Sequence, residues 1–84
     1  MKHAGEQALN SIEQILAKIR ELPGLTERKR GTFYRKSDAF LHFHEDPAGM
    51  FADLKCDGDF ERYRVNTAKE IAAFVRDAKR ALGS

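Results

Sequence analysis

The chain has 84 residues, 15 basic and 13 acidic, for a formal charge of +2, which leaves room for one domain (1–84) and no second core. So small a charge gives no reason by itself to expect a polyanion partner, and the single Cys56 excludes an internal disulfide or a multi-cysteine zinc site. Hydrophobic residues at 42% and charged residues at 33% fit a soluble globular chain, and no apolar run approaches the ~20 residues that cross a bilayer.

Residues 1–7 lack the apolar segment of a signal peptide and are expected to form a loose tail, so a cytoplasmic protein with no membrane contact is expected. His3 falls in that tail and is given no role. From residue 8 to 22, Leu9, Ile12, Ile15, Leu16, Ile19 and Leu22 mark one helical stripe, which Pro23-Gly24 ends. Leu25 to Gly31 reads as a polar connector. Its basic run, Arg28-Lys29-Arg30, reads as a solvated linker or edge, with nucleic-acid contact as the alternative.

The period then changes to two. Thr32 to Lys36 is the first predicted strand, Ser37-Asp38 its turn, Phe40 to Glu45 the second strand and Met50 to Lys55 the third, with Asp46 to Gly49 between them. Asp57-Gly58 is the strongest hairpin signal, and Phe60 to Val65 is the fourth strand. Thr67 and Glu70 have capping-box spacing ahead of a second stripe of Ile71, Phe74, Val75, Ala78 and Leu82. The expected fold is α+β: a four-stranded antiparallel meander with an N-terminal and a C-terminal helix on one face, ordered α-β-β-β-β-α.

The turns predict a register. Cys56 pairs with Asp59, Asp53 with Arg62, Phe51 with Arg64, His44 with Phe51, His42 with Asp53, Arg35 with Phe40, and Phe33 with His42. One face then collects Tyr34, Leu41, Phe43, Met50, Ala52, Leu54, Tyr63 and Val65 for the helices to cover. The other collects Phe33, Arg35, Phe40, His42, His44, Phe51, Asp53, Lys55, Phe60, Arg62 and Arg64. Four phenylalanines interleaved with cations on one face mark an interaction surface.

Leu22-Pro23-Gly24-Leu25 and the hairpin opened by Phe40-Leu41-His42-Phe43-His44, with a closing helix, resemble small uncharacterised bacterial α+β proteins. The hairpin in particular resembles the luciferase-associated domain family, and the helix end with a strand-rich middle is similar, more loosely, to YjbR-like domains. The resemblance covers most of residues 12 to 82, implies the α+β fold and brings no catalytic residues to this chain.

Three uses of the mixed face follow. The first is self-association as a homodimer, since phenylalanine and arginine are both favoured at interfaces. The second is binding of a small anion or single-stranded nucleic acid, with Phe33, Phe40, Phe51 and Phe60 as stacking platforms and Arg35, Arg62 and Arg64 as charges. The third is a metal-dependent hydrolytic site at His42, His44 and Asp53, because His-x-His on a strand aims both imidazoles one way and a cross-strand carboxylate adds a ligand. No nucleophile elbow or phosphate loop is present, so the expected role is a non-enzymatic interaction or ligand-binding module without a cofactor.

Overall fold

A computed structural model describes residues 2–83. The elements run β1 (Lys2–His3), α1 (Glu6–Ser11), α2 (Glu13–Arg20), β2 (Leu25–Lys29), β3 (Thr32–Arg35), β4 (Asp38–Asp46), β5 (Gly49–Cys56), β6 (Asp59–Arg64) and α3 (Ala68–Leu82). The fold is α+β, with an antiparallel sheet ordered β2-β3-β4-β5-β6 and β1 added against β4. Both helical segments send their apolar stripes into one core. Leu9, Ile12, Ile15, Leu16 and Ile19 meet Leu41, Phe43, Ala52, Leu54, Phe74 and Ala78 there. No helix among the described residues is long and apolar enough to cross a membrane.

The first helix is broken rather than continuous. Ile12 leaves helical geometry at φ −116° and ψ 22°, and the Ser11 hydroxyl donates to the Ala8 carbonyl at 2.6 Å, competing with the backbone ladder. The break swings two short apolar stripes over the sheet while keeping Leu9, Ile12 and Ile15 buried.

Leu25 to Lys29, expected as a connector, is a fifth strand of the meander. Its sequence hides the period because it is an edge: Leu25 and Glu27 turn inward while Thr26, Arg28 and Lys29 face water. Glu27 holds this edge to α2, accepting from Arg20 Nε at 2.6 Å and from the Gly31 amide at 3.0 Å. The basic run is largely occupied internally. Arg28 sits 4.5 Å over the Tyr34 ring, and Arg30 pairs with Glu6 at 2.8 Å and Glu13 at 2.6 Å.

In place of a loose tail over 1–7, Lys2 pairs with Glu45 and His3 with His44. The Ala4 amide donates to the Phe43 carbonyl at 3.3 Å and the Gly5 amide to Glu45 Oε1 at 3.1 Å, which holds the segment along β4 past the end of β3. Residue 1 lies outside the described residues.

The β4–β5 and β5–β6 registers are as expected, including His42↔Asp53, His44↔Phe51, Phe51↔Arg64, Asp53↔Arg62 and Cys56↔Asp59. The β3–β4 register is not. Its turn falls at Lys36-Ser37, with Lys36 at φ 59°, so Arg35 pairs with Asp38 instead of Phe40. A bulge then leaves Phe40 without a partner on β3, and Phe33 pairs with Leu41 instead of His42. A one-residue slip reverses the faces. Phe33 and Phe40 are therefore core residues, 1% and 4% exposed, and Tyr34 takes the opposite side under Arg28.

At the other end of the sheet, Thr67 and Glu70 form the expected capping box, and Phe74 packs edge-on against Phe43 at 5.8 Å and Tyr63 at 5.4 Å. Asn66 extends β6 by bonding both backbone groups of Met50, at 2.7 and 3.2 Å. Both contacts fix α3 across β5 and β6.

Gly31 closes the β2–β3 turn at φ 84°, and a Cβ built there would stand 2.6 Å from Leu9 Cδ2. Gly31→Ala is expected to lower stability by about 1–3 kcal/mol through its left-handed backbone. Urea unfolding measures it, and an unchanged midpoint would mean that the turn relaxes out of that conformation.

Candidate metal centre on the open sheet face

The face turned away from the helices is organised by alternation along β4 and β5. Leu41 and Phe43 point into the core, so His42 and His44 point out. Ala52 and Leu54 likewise send Asp53 outward, directly opposite His42 on its neighbour and diagonal to His44. Asp53 is nevertheless only 7% exposed, because the imidazoles, the Arg62 side chain and the sheet surround it.

Arg62 on β6 grips this carboxylate in a fork, Nε to Oδ1 at 2.9 Å and Nη2 to Oδ2 at 3.1 Å. Burial pushes the Asp53 carboxyl up, and the hydrogen bonds and charge of Arg62 more than reverse it, leaving the pKa below the usual carboxylate range. Asp53 is therefore an anion at neutral pH. Burial lowers the His42 pKa, as does the neighbouring His44, which favours the neutral imidazole.

Three donor atoms converge beside that carboxylate. His42 Nδ1 lies 2.7 Å from His44 Nε2, His44 Nε2 lies 3.0 Å from Asp53 Oδ2, and His42 Nδ1 lies 3.9 Å from the same oxygen. All lie within 4.8 Å of one another. The residue that sequence reasoning passed over is His3. As the cross-strand partner of His44, its ring reaches the same face, with centroids 5.1 Å from His44 and 5.9 Å from His42. The signal that would have found it is the two-residue extended segment before Gly5, too short to show a period.

The other expected site residues divide. Phe51 stays on this face, half-buried, with the Arg64 guanidinium 5.5 Å over its ring. Phe60 is 44% exposed, 5.0 Å from the His42 ring and 5.8 Å from Lys55 Nζ. Arg64 also approaches Glu70 at 3.7 Å. Phe33 and Phe40 have left for the core, as described above. Arg35 follows Phe33 to the helix side, where it donates to the Ala81 and Leu82 carbonyls at 3.4 and 3.3 Å and caps the C-terminal end of α3.

The arrangement therefore has fewer aromatics and less unpaired positive charge than the predicted surface. Two of four platforms and one of three arginines are gone, and the remaining arginines face carboxylates. Its centre is a polar cluster of imidazole and carboxylate donors. No protein-family model, curated protein or solved structure matches this chain.

Arg62→Gln is expected to lower stability at neutral pH, because it leaves the nearly buried Asp53 carboxylate without its forked charged partner. The pH dependence has a definite sign. With Arg62, the lowered Asp53 pKa contributes stability above the unfolded carboxyl value that is lost as pH falls through the folded one. Without Arg62, burial raises that pKa, so acid relieves the variant. The stability gap between the two proteins should shrink toward pH 4, and a gap that widened in acid would refute the role given to Arg62.

Proposed function

We propose that the chain is a non-enzymatic ligand-binding module whose working surface is the open sheet face, and that its ligand is a divalent transition-metal ion held by His42, His44 and Asp53. The observation that carries this reading is the position of His44 Nε2, within hydrogen-bond distance of both His42 Nδ1 and Asp53 Oδ2. A ring nitrogen offers either one proton or one lone pair. If Nε2 donates, its one proton must be shared between Asp53 and His42 Nδ1. If it accepts from His42, its lone pair faces a carboxylate. One cation among the three atoms satisfies all of them, through two imidazole lone pairs and one anionic oxygen.

The donor set suits zinc and its neighbours, for which imidazole and carboxylate are ordinary ligands. Arg62 supplies the outer hydrogen bond that such a carboxylate needs, holding Oδ1 while Oδ2 faces the histidines. The Phe60 ring lies against His42 at 5.0 Å, and Asp53 is 7% exposed.

Calorimetric titration of untagged protein with zinc should give saturable binding of one ion per chain. His42→Ala and His44→Ala should each weaken it about 100-fold or more, beyond the 10–100-fold typical of changes in outer-shell partners. Wild-type protein that takes up no zinc would leave the cluster as a hydrogen-bonded ion network around Asp53 and end this reading.

Self-association is supported by one separate observation. Among the described residues Phe60 is the one large hydrophobic side chain exposed, and it lies on this same face. If two copies pair sheet to sheet, Phe60→Ser should shift the sedimentation coefficient from dimer to monomer. A wild-type chain that is monomeric at high micromolar concentration would rule this out.

A further inference from the structure

We infer that His3 is a fourth ligand of this metal centre, so that the bound ion closes the N-terminal strand onto the sheet. The inference rests on the metal reading of His42, His44 and Asp53, and it adds a ligand from a different part of the chain. It turns a three-donor site with an open position into a closed four-ligand one, the form of structural rather than catalytic zinc sites.

The spacing of the three rings is the ground for it. With metal–nitrogen bonds of about 2.0–2.1 Å, a metal lies about 3.2 Å from each imidazole centroid, and tetrahedral angles then separate the centroids by about 5.2 Å. The observed separations are 4.7 Å for His42–His44, 5.1 Å for His3–His44 and 5.9 Å for His3–His42. His3 and His44 stand at that separation, while His42 is about half an ångström too near His44 and somewhat too far from His3. An ion would therefore draw the three rings together by small rotations of His42 and His3.

The backbone brings His3 there without help from the ring. Pairing of His3 with His44 fixes which face the side chain takes, since directly opposed residues share a face. The Ala4 and Gly5 amides hold the following residues to Phe43 and Glu45. Yet β1 is only two residues long and buries little, because His3 is exposed and Ala4 only half-buried. A strand so short is weakly held by its own ladder. A bond from His3 to an ion fixed on β4 and β5 ties it down in proportion to the ion's differential affinity for the paired state.

The chemistry is also consistent around the ring of ligands. Three imidazole ligands, which bind a metal through a lone pair, and one carboxylate leave a divalent ion with a net charge of +1, in a site where Arg62 already balances part of the Asp53 charge. Phe60 stands against His42 on the far side from β1, so His3 enters from the side that Phe60 leaves open.

The test compares untagged wild type with His3→Ala, His3→Gln and His42→Ala, using zinc and cobalt(II) as probes. Copper and nickel are avoided because they favour square-planar nitrogen sets, which one histidine and its neighbouring backbone amides can supply without the sheet. His3 is exposed and lies on a two-residue strand outside the core, so both His3 variants are expected to keep the fold. The expected result is zinc binding weakened about tenfold or more in both His3 variants. The intense visible absorption of four-coordinate cobalt in wild type should fall toward the weak spectrum of higher coordination. Zinc should also slow hydrogen exchange at the Ala4 amide in wild type but not in His3→Ala.

If His42→Ala loses zinc while the His3 variants bind it as tightly as wild type, with the same cobalt spectrum, His3 is not a ligand and the three-donor site stands alone. If wild type itself binds neither ion, the metal reading fails and takes this inference with it.

Discussion

The register of β4 against β5 is the constraint on which both halves of this molecule depend. With His42 opposite Asp53, Leu41 and Phe43 are committed to the helix side together with Ala52 and Leu54. A slip of one residue would put two histidines under the helices and leave Leu41 and Phe43 in water, so the hydrophobic core and the polar cluster select the same pairing. The site is thus a by-product of the core. Burying the odd-numbered apolar residues of β4 obliges its histidines to stand side by side on the other face.

Asp53 is the costliest group that this arrangement tolerates. A carboxylate 7% exposed stays charged only because Arg62 meets it with a two-pronged hydrogen bond from the adjacent strand and two imidazoles approach from the other side. All the partners come from strands flanking β5, so their geometry follows from sheet pairing and not from loop conformation. Sites on paired strands are held more closely than sites on loops. That rigidity favours coordination over induced fit, and it is why the His44 Nε2 conflict is informative instead of being relieved by a small side-chain rotation.

Away from that central pair the sheet departs from a simple meander, and each departure removes something from the open face. The bulge at Phe40 and the turn at Lys36-Ser37 move Phe33, Phe40 and Arg35 to the helix side. There the aromatics fill the core and the guanidinium meets the carbonyls at the end of α3. The added edge strand β2 engages the basic run through Tyr34, Glu6 and Glu13. What had looked like an aromatic and cationic platform becomes a compact polar centre with Phe51 and Phe60 at its margin. The case for stacking nucleic-acid bases weakens accordingly, and the case for a small coordinated ligand strengthens.

The sequence by itself determined the elements with strong local signals. Period-two alternation, Asp57-Gly58 and the Thr67–Glu70 capping box placed four strands (β3 to β6), two hairpins and the last helix, along with the His42–Asp53 and Asp53–Arg62 pairs. Those features are short-range, set by turn chemistry and by side-chain alternation over a few residues. Only the tertiary structure decided the rest, because none of it has a local code. Whether Phe33 faces the core depends on a bulge one strand away, and a polar edge such as Leu25–Lys29 becomes a strand only when β3 is there to pair with it. His3 is the clearest instance. Forty-one residues separate it from His44 in the chain, and nothing near it in the sequence announces that its backbone pairs there.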